Sequence, residues 1–373
     1  MRRIAFILMI FCSGHLMAQG FYNNGALLSI STGTILSLPD SIVNKGTLIN
    51  NGQIIIAGSW INSGTYDAGS GQITFDSDVD QVINHNAQSI EKLVISGGGK
   101  KEFLADIFVQ SSLTFDDGIL ASKNGARIVM DQDVIVTGGS DASHIQGPVE
   151  RKGTGDWFFP IGNGTKYLPV TIPSVTNAAA FGILTLHEIT NETLTSDPGL
   201  DKISNKRYWE LVSGGDALGS TVIKLPVVDE DGVDPDNITI GASNAATGPY
   251  IDLHSSGLSG QTITSKDAPT FKYYAIASVQ LDHSIEVFNA VSVGSDGKND
   301  FMTIQNIEFY PENKVTIHNR WGDRVFEASG YDNNQNAFRG LSENGNKLPS
   351  GTYFYSIDLG DGSAKVTGYV VVR

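Results

Sequence analysis

Apolar and polar residues alternate along this chain in brief bursts, not in long runs. Thr47-Leu48-Ile49, Gln53-Ile54-Ile55-Ile56 and Gln72-Ile73-Thr74-Phe75 have the period of two that puts alternate side chains on opposite faces of a strand. Between them stand Asn23-Asn24-Gly25, Asn44-Lys45-Gly46, Asn50-Asn51-Gly52 and Asn62-Ser63-Gly64. Asn and Gly tolerate the left-handed backbone of sharp corners, so these triplets read as turns. The last three begin at 44, 50 and 62, spacings of 6 and 12. The pattern continues more loosely through Leu93-Val94-Ile95, Ile107-Phe108-Val109, Leu113-Thr114-Phe115, Ile128-Val129-Met130 and Val134-Ile135-Val136. Strands this short bury no core alone, but stacked as rungs about 4.8 Å apart they do. Residues 20–140 therefore predict a β-solenoid resembling a parallel β-helix. Antiparallel hairpins, which Asn-Gly turns also favour, are the alternative.

From residue 141 the texture changes. Trp157-Phe158-Phe159-Pro160-Ile161-Gly162 and Tyr167-Leu168-Pro169-Val170 precede longer alternating segments at 182–186, 207–212, 221–225, 237–242 and 271–277. Such strands, separated by polar turns, predict an antiparallel β-sandwich over 141–283, with Trp209 in its core. Residues 284–373 form a further β unit. The fold class is thus all-β: a solenoid, a sandwich and a C-terminal Ig-like sandwich, with Gln280-Leu281-Asp282-His283 as the last boundary.

Residues 1–19 stand apart. Arg2 and Arg3 precede an unbroken apolar run over 4–12, and Leu16-Met17-Ala18-Gln19 supplies a small residue for cleavage after Ala18 or Gln19. That is the form of a signal peptide. A membrane-spanning helix needs about 18 apolar residues or more, so the run is too short for an anchor. Bulky Ile10-Phe11 before Cys12 are wrong for a lipoprotein signal. Cys12 is the single cysteine, so the exported chain would have no disulfide and would be held by sheet hydrogen bonds and burial. No later segment reads as a transmembrane helix. The net charge of -15 makes nucleic acid a poor partner, because binding to phosphates relies on Lys and Arg. Calcium, neutral glycans or surface proteins fit better.

The last ninety residues carry the most specific motifs. In order come Phe288-Asn289-Ala290-Val291-Ser292, Ser295-Asp296-Gly297-Lys298-Asn299-Asp300-Phe301 and Ile307-Glu308-Phe309-Tyr310-Pro311. Lys314-Val315-Thr316-Ile317-His318-Asn319-Arg320-Trp321-Gly322 follows, then Leu348-Pro349-Ser350-Gly351-Thr352-Tyr353-Phe354-Tyr355 and Gly368-Tyr369. In order and spacing this segment resembles the gliding-motility-associated C-terminal domain, the type B sorting domain of the type IX secretion system. The family has Pro-Asn-Gly-Asp-Gly where this chain has Val293-Gly294-Ser295-Asp296-Gly297. The resemblance implies export by the signal peptide, then outer-membrane passage by the type IX machinery acting on residues 284–373. The repeats also resemble passenger regions of large surface proteins that carry this domain. On residues alone, the same motifs read as a half-buried strand at Val315 and Ile317, an aromatic plug at Trp321-Gly322 and a turn at Pro349-Ser350-Gly351.

Three acidic groups are cation candidates. Asp229, Asp231, Asp234 and Asp236 surround Gly232, and calcium takes six to eight oxygens from such loops. The EF-hand spacing and its closing Glu are missing, and a solvated acidic loop is the plainer reading. Asp76, Asp78 and Asp80 alternate, which on a strand would place them on one face. Asp296, Asn299 and Asp300 are the third group, which a polar turn equally explains. No other cofactor is expected.

Catalytic signatures are absent from the sequence. There is no His-Glu-x-x-His and no Gly-x-Ser-x-Gly, and the histidines after residue 19 (85, 144, 187, 254, 283, 318) stand singly. Gly97-Gly98-Gly99-Lys100-Lys101 departs from the phosphate-loop pattern at Val94 and Lys101 and reads as a turn. The reading is a non-catalytic exported protein acting in adhesion, matrix building or glycan contact, with Trp60, Tyr66 and Trp157 as candidate sugar-stacking aromatics or core residues. A polysaccharide lyase or hydrolase using the Asp76–Asp80 face is the alternative. A structural subunit of a surface assembly is the third.

Overall fold

The computed structural model describes residues 20–214, 218–279, 283–293 and 299–373. The signal-peptide reading of 1–19, most of the 280–283 boundary and Asp296 lie outside them. The described chain is all β, its helical elements being three single 3-10 turns at Asp229–Asp231, Pro235–Asn237 and Ile307–Phe309. It divides into two compact units, Met1–Gln280 and Leu281–Arg373.

The first unit opens as a β-solenoid. A seven-stranded sheet takes one strand from each turn of the coil, from Phe21–Asn23 to Ile145–Gln146, and every pairing in it is parallel. A second face stacks Ile35–Leu38, Gln53–Ile56, Gln72–Asp76, Ser89–Ser96, Ile107–Phe115, Ile128–Met130 and Val149–Lys152, again in parallel. A third, three-stranded face (Leu27–Ile30, Thr47–Asn50, Thr65–Asp67) serves only the first turns. The hairpin alternative is thereby excluded for this region. Many inward positions are aliphatic or aromatic: Ile42 pairs with Trp60, Trp60 with Ile83, and each is fully buried.

The Asn-x-Gly triplets do more than turn the chain. Asn23, Asn44 and Asn62 occupy one register position on successive rungs and point inward as a ladder. Asn23 Nδ2 donates to Asn44 Oδ1 at 2.8 Å, and Asn44 Nδ2 donates to Asn62 Oδ1 at 2.8 Å. Asn44 Oδ1 also accepts from Gly46 N at 3.2 Å, which fixes the corner. Gly46 and Gly64 are not in the left-handed region, so the expected reason for glycine is corrected here. A Cβ on Gly64 would lie 2.1 Å from Gly46 O, and one on Gly46 2.3 Å from Ala26 O. Glycine is required because adjacent rungs leave no room for a side chain at the corner.

The parallel sheet does not end with the solenoid. Val149–Lys152, parallel to Ile128–Met130 on one side, pairs antiparallel with Phe181–Glu188 on the other. Arg207–Gly214, Tyr273–Val279 and Ile238–Ser243 extend the sheet in antiparallel fashion. A separate five-stranded sheet (Gly155–Phe159, Val170–Val175, Lys224–Pro226, Thr262–Ser265, Ser255–Ser259) contributes Trp157, Ile172 and Leu225 to the same continuous core as Trp209 and Ile240. Trp60, Tyr66 and Trp157 are buried, so none of the three offers a face to a sugar.

The second unit has its own core. Its five-stranded sheet runs in the order Ala290–Val291, Val366–Val372, Gly351–Asp358, Lys314–His318, Arg324–Ser329. Only the first pairing is parallel. Val315, Ile317, Tyr353, Ile357 and Val370 face inward, as their alternation predicts. Among the described residues, no helix is long and apolar enough to cross a membrane.

Candidate functional site

The C-terminal motifs converge on one end of the second unit. Asn319 follows the strand Lys314–His318 and organises the turn after it. Its Oδ1 accepts from Trp321 N and Asp323 N, both at 2.9 Å, and its Nδ2 donates to Asp323 Oδ2 at 3.0 Å. Gly322 sits at φ +91°, a conformation that a side chain would strain. The turn holds Trp321 out to solvent at 76 % exposure. The Arg320 guanidinium lies 5.0 Å from the centre of the Trp321 ring, a cation–π pair.

The Leu-Pro-x-Gly-Thr-Tyr-x-Tyr segment forms the opposite wall. Tyr353 is buried and its hydroxyl donates to Pro349 O at 2.9 Å, pinning the turn to the strand that begins at Gly351. Burial raises the Tyr353 phenol, with the nearby Arg320 charge opposing. Asn319, Arg320 and Trp321 on one side and Pro349, Gly351, Thr352 and Tyr353 on the other enclose a cleft of about 150 Å³. Gly368 has a separate structural role. A Cβ there would lie 2.2 Å from the Tyr355 hydroxyl, so the Tyr355 ring lies across the glycine of the neighbouring strand. Tyr369 pairs with Phe354, which pairs with half-buried His318, making a row on the outer sheet face in which the two aromatics are exposed. The sequence-nominated residues thus divide. Asn319, Gly322, Gly351, Tyr353, Tyr355 and Gly368 shape the domain, and Arg320, Trp321, Pro349, Thr352 and Tyr369 present its surface.

The acidic group around Gly232 is arranged otherwise than around an ion. Asp231 is buried, and its carboxylate accepts from Val228 N at 3.0 Å and from the Ser204 hydroxyl at 3.1 Å. The buried Arg207 guanidinium reaches Asp231 at 3.7 Å and Glu230 at 3.2 Å, and Lys202 Nζ donates to Gly232 O. Positive charge from the protein therefore stands where a cation was considered. Asp234 accepts from Asp236 N at 3.0 Å and Asn237 Nδ2 at 2.9 Å, as the N-cap of a 3-10 turn, while Asp229 and Asp236 face solvent. Asp300 is half-buried. No cluster of three or more His, Cys, Asp or Glu able to hold a metal ion occurs among the described residues.

Of Asp76, Asp78 and Asp80 only Asp76 lies on a strand (Gln72–Asp76), so the three do not share a strand face. All are exposed, and between them Ser77 O accepts from a lysine whose sequence context reads as a turn. Lys101 is fully buried, with its Nζ donating to Ser77 O at 2.8 Å and to Gly98 O. Burial lowers its affinity for a proton, and the charges of Asp117, Asp76, Asp80 and Asp78 oppose that shift. The inward alternation of Lys101 with Phe103 was the available signal.

No curated protein matches the chain. Among solved structures, the adhesin domain of Epf from Streptococcus pyogenes is similar at 13 % identity, covering 62 % of this chain and 93 % of that one, with a TM-score of 0.16. That score carries no structural argument. Residues 285–372 match the family model of the CHU_C type IX secretion signal domain, and the chain is therefore one that carries a type IX sorting signal in that segment.

Proposed function

We propose that residues 285–373 deliver the preceding unit across the outer membrane, and that this unit then acts outside as a non-catalytic contact surface in adhesion, matrix building or glycan contact. The observation that carries the delivery reading is the match over 285–372 together with the exposed Arg320–Trp321 pair on a rigid turn. Trp and Arg are the side chains most enriched where a few residues dominate binding. Residues 1–19 serve, in this reading, as the leader for the inner membrane. The non-catalytic reading draws support from the carboxylates nominated for chemistry. Asp231 is committed to Arg207, Ser204 and backbone, and the charges of Asp117, Asp76, Asp80 and Asp78 act on the buried Lys101. The 141–283 region is read as a sandwich, because its two sheets contribute to one core.

Substituting Trp321→Ala together with Arg320→Ala tests the delivery reading. Neither side chain is in the core, so the thermal midpoint of the purified protein stays unchanged. If the pair is a hot spot worth about 2 kcal/mol, affinity for the machinery falls roughly thirtyfold. Surface protein then drops and the periplasmic pool rises, as quantified by fractionation. Delivery equal to wild type would remove the pair from the recognition surface.

A further inference from the structure

On the outside of the solenoid, where it passes into the antiparallel sheet, lies a groove of about 560 Å³, within the range of ligand sites. Its floor is a column of outward positions on three successive rungs. Glu102 pairs with Ala121, and Ala121 with Gln146, while their neighbours Lys101, Leu120 and Ile145 point inward. The small Ala121 between two long side chains leaves a hollow. Thr185, Leu186 and Glu188 of Phe181–Glu188 and the turn at Gly162 and Asn163 form the facing wall.

The polar groups of the groove are held before any ligand arrives. Glu102 Oε1 lies 3.4 Å from Lys123 Nζ and 3.7 Å from Lys100 Nζ. Asn163 Nδ2 donates to Glu188 Oε1 at 2.6 Å, and Gln146 Nε2 to Asn163 O at 3.3 Å. We infer that this groove is a binding site for an internal stretch of a neutral polysaccharide, which it holds without cleaving.

Several features select that ligand class. Ammonium and amide donors alternate with carboxylate and carbonyl acceptors, matching hydroxyls that donate and accept at once. The two lysines share the groove with Glu102 and Glu188, so no net positive charge is left for a polyanion, and the whole chain carries -15. The floor strands are bonded to one another, and the last, Ile145–Gln146, is bridged on its far side to Ile161 through Pro160 O and Gly162 N, so a peptide cannot add to the sheet there. Rungs about 4.8 Å apart repeat at close to the length of one pyranose ring. This inference refines the glycan-contact part of the proposed function and is independent of how the protein is delivered.

Affinity electrophoresis of the purified full chain through gels containing a neutral β-glucan, xylan or mannan, with alginate and pectate in parallel gels, is the test. At least one neutral polymer retards the wild type, with retardation insensitive to salt and polymer length unchanged afterwards. Gln146→Trp, at an exposed position, fills the hollow and weakens retardation about tenfold or more, and Lys123→Ala weakens it less. Thermal midpoints near wild type show that both variants are folded. Failure of every neutral polymer to bind, binding confined to the acidic polymers, binding unaffected by Gln146→Trp, or a shortened polymer would each overturn the inference. None of these results bears on export, which is scored separately in cells.

Discussion

Asn44→Ala unfolds the solenoid at markedly lower denaturant than wild type, a loss of about 3–5 kcal/mol. Asn44 is fully buried and makes four hydrogen bonds. It accepts from Asn23 Nδ2 and Gly46 N and donates to Asn62 Oδ1 at 2.8 Å and Thr65 O at 3.2 Å. Alanine removes all four, stranding the Gly46 N–H and the Asn62 carbonyl oxygen away from water at about 1–3 kcal/mol each. Asn23→Ala costs less, because the groups it releases are the backbone of Ala26, at an exposed position, and Asn44 Oδ1, which keeps Gly46 N at 3.2 Å. The ordering Asn44→Ala worse than Asn23→Ala in urea titrations is therefore the specific expectation. A cost below about 1 kcal/mol for Asn44→Ala would mean that the ladder adds little beyond filling space.

Acid weakens the same core through His85. The ring is fully buried, and Trp60 and Tyr66 lie against it with centroids at 5.7 and 4.8 Å. Its Nδ1 accepts from Trp60 Nε1 at 2.9 Å, which leaves the proton on Nε2, 3.2 Å from Ser89 O. Burial lowers the pKa from 6.5 to about 4, with the Ser89 carbonyl opposing. Between these values the unfolded chain takes up a proton that the folded chain refuses. Stability therefore falls as pH drops from about 6.5 to about 4 and is unaffected by this group above that window. A shift of this size corresponds to about 3 kcal/mol.

His144 adds to the same trend, because burial lowers its pKa as well. The decisive comparison is thus His85→Gln against wild type at pH 7 and pH 4. The variant loses about 3 kcal/mol less on acidification, whatever its stability at neutral pH. Parallel pH profiles for the two proteins would show that His85 is not held neutral.

Some of this architecture was plain in the sequence, and the missing parts have physical reasons. The alternation in Gln53–Ile56 and Gln72–Asp76 announced strands, and brevity announced stacking. The asparagines look like turn formers in sequence because that residue type favours exposed corners. Their ladder is written in the recurrence of Asn at one rung position, 21 and then 18 residues apart. The change from solenoid to antiparallel strands shows in the sequence near residue 141, but that one strand, Val149–Lys152, takes part in both pairings does not, because both share the period of two.

Lys101 and the acidic loop were obscure for a different reason. A charge tells nothing of its partner when that partner is distant in sequence, as Arg207 is from Asp231. In the last ninety residues the motifs marked the domain, but not the roles within it. Trp321 and Trp60 look alike as letters, yet one is the most open large apolar side chain among the described residues and the other is sealed in the core.

The central claim is that residues 285–373 export what precedes them. Intact cells producing the full chain, or the chain lacking 285–373, are treated with protease, and released peptides are identified by mass spectrometry. Peptides from 20–279 released from the first strain but retained inside the second are the predicted result. Equal release from both would contradict the account, because the unit would then reach the surface without its sorting domain.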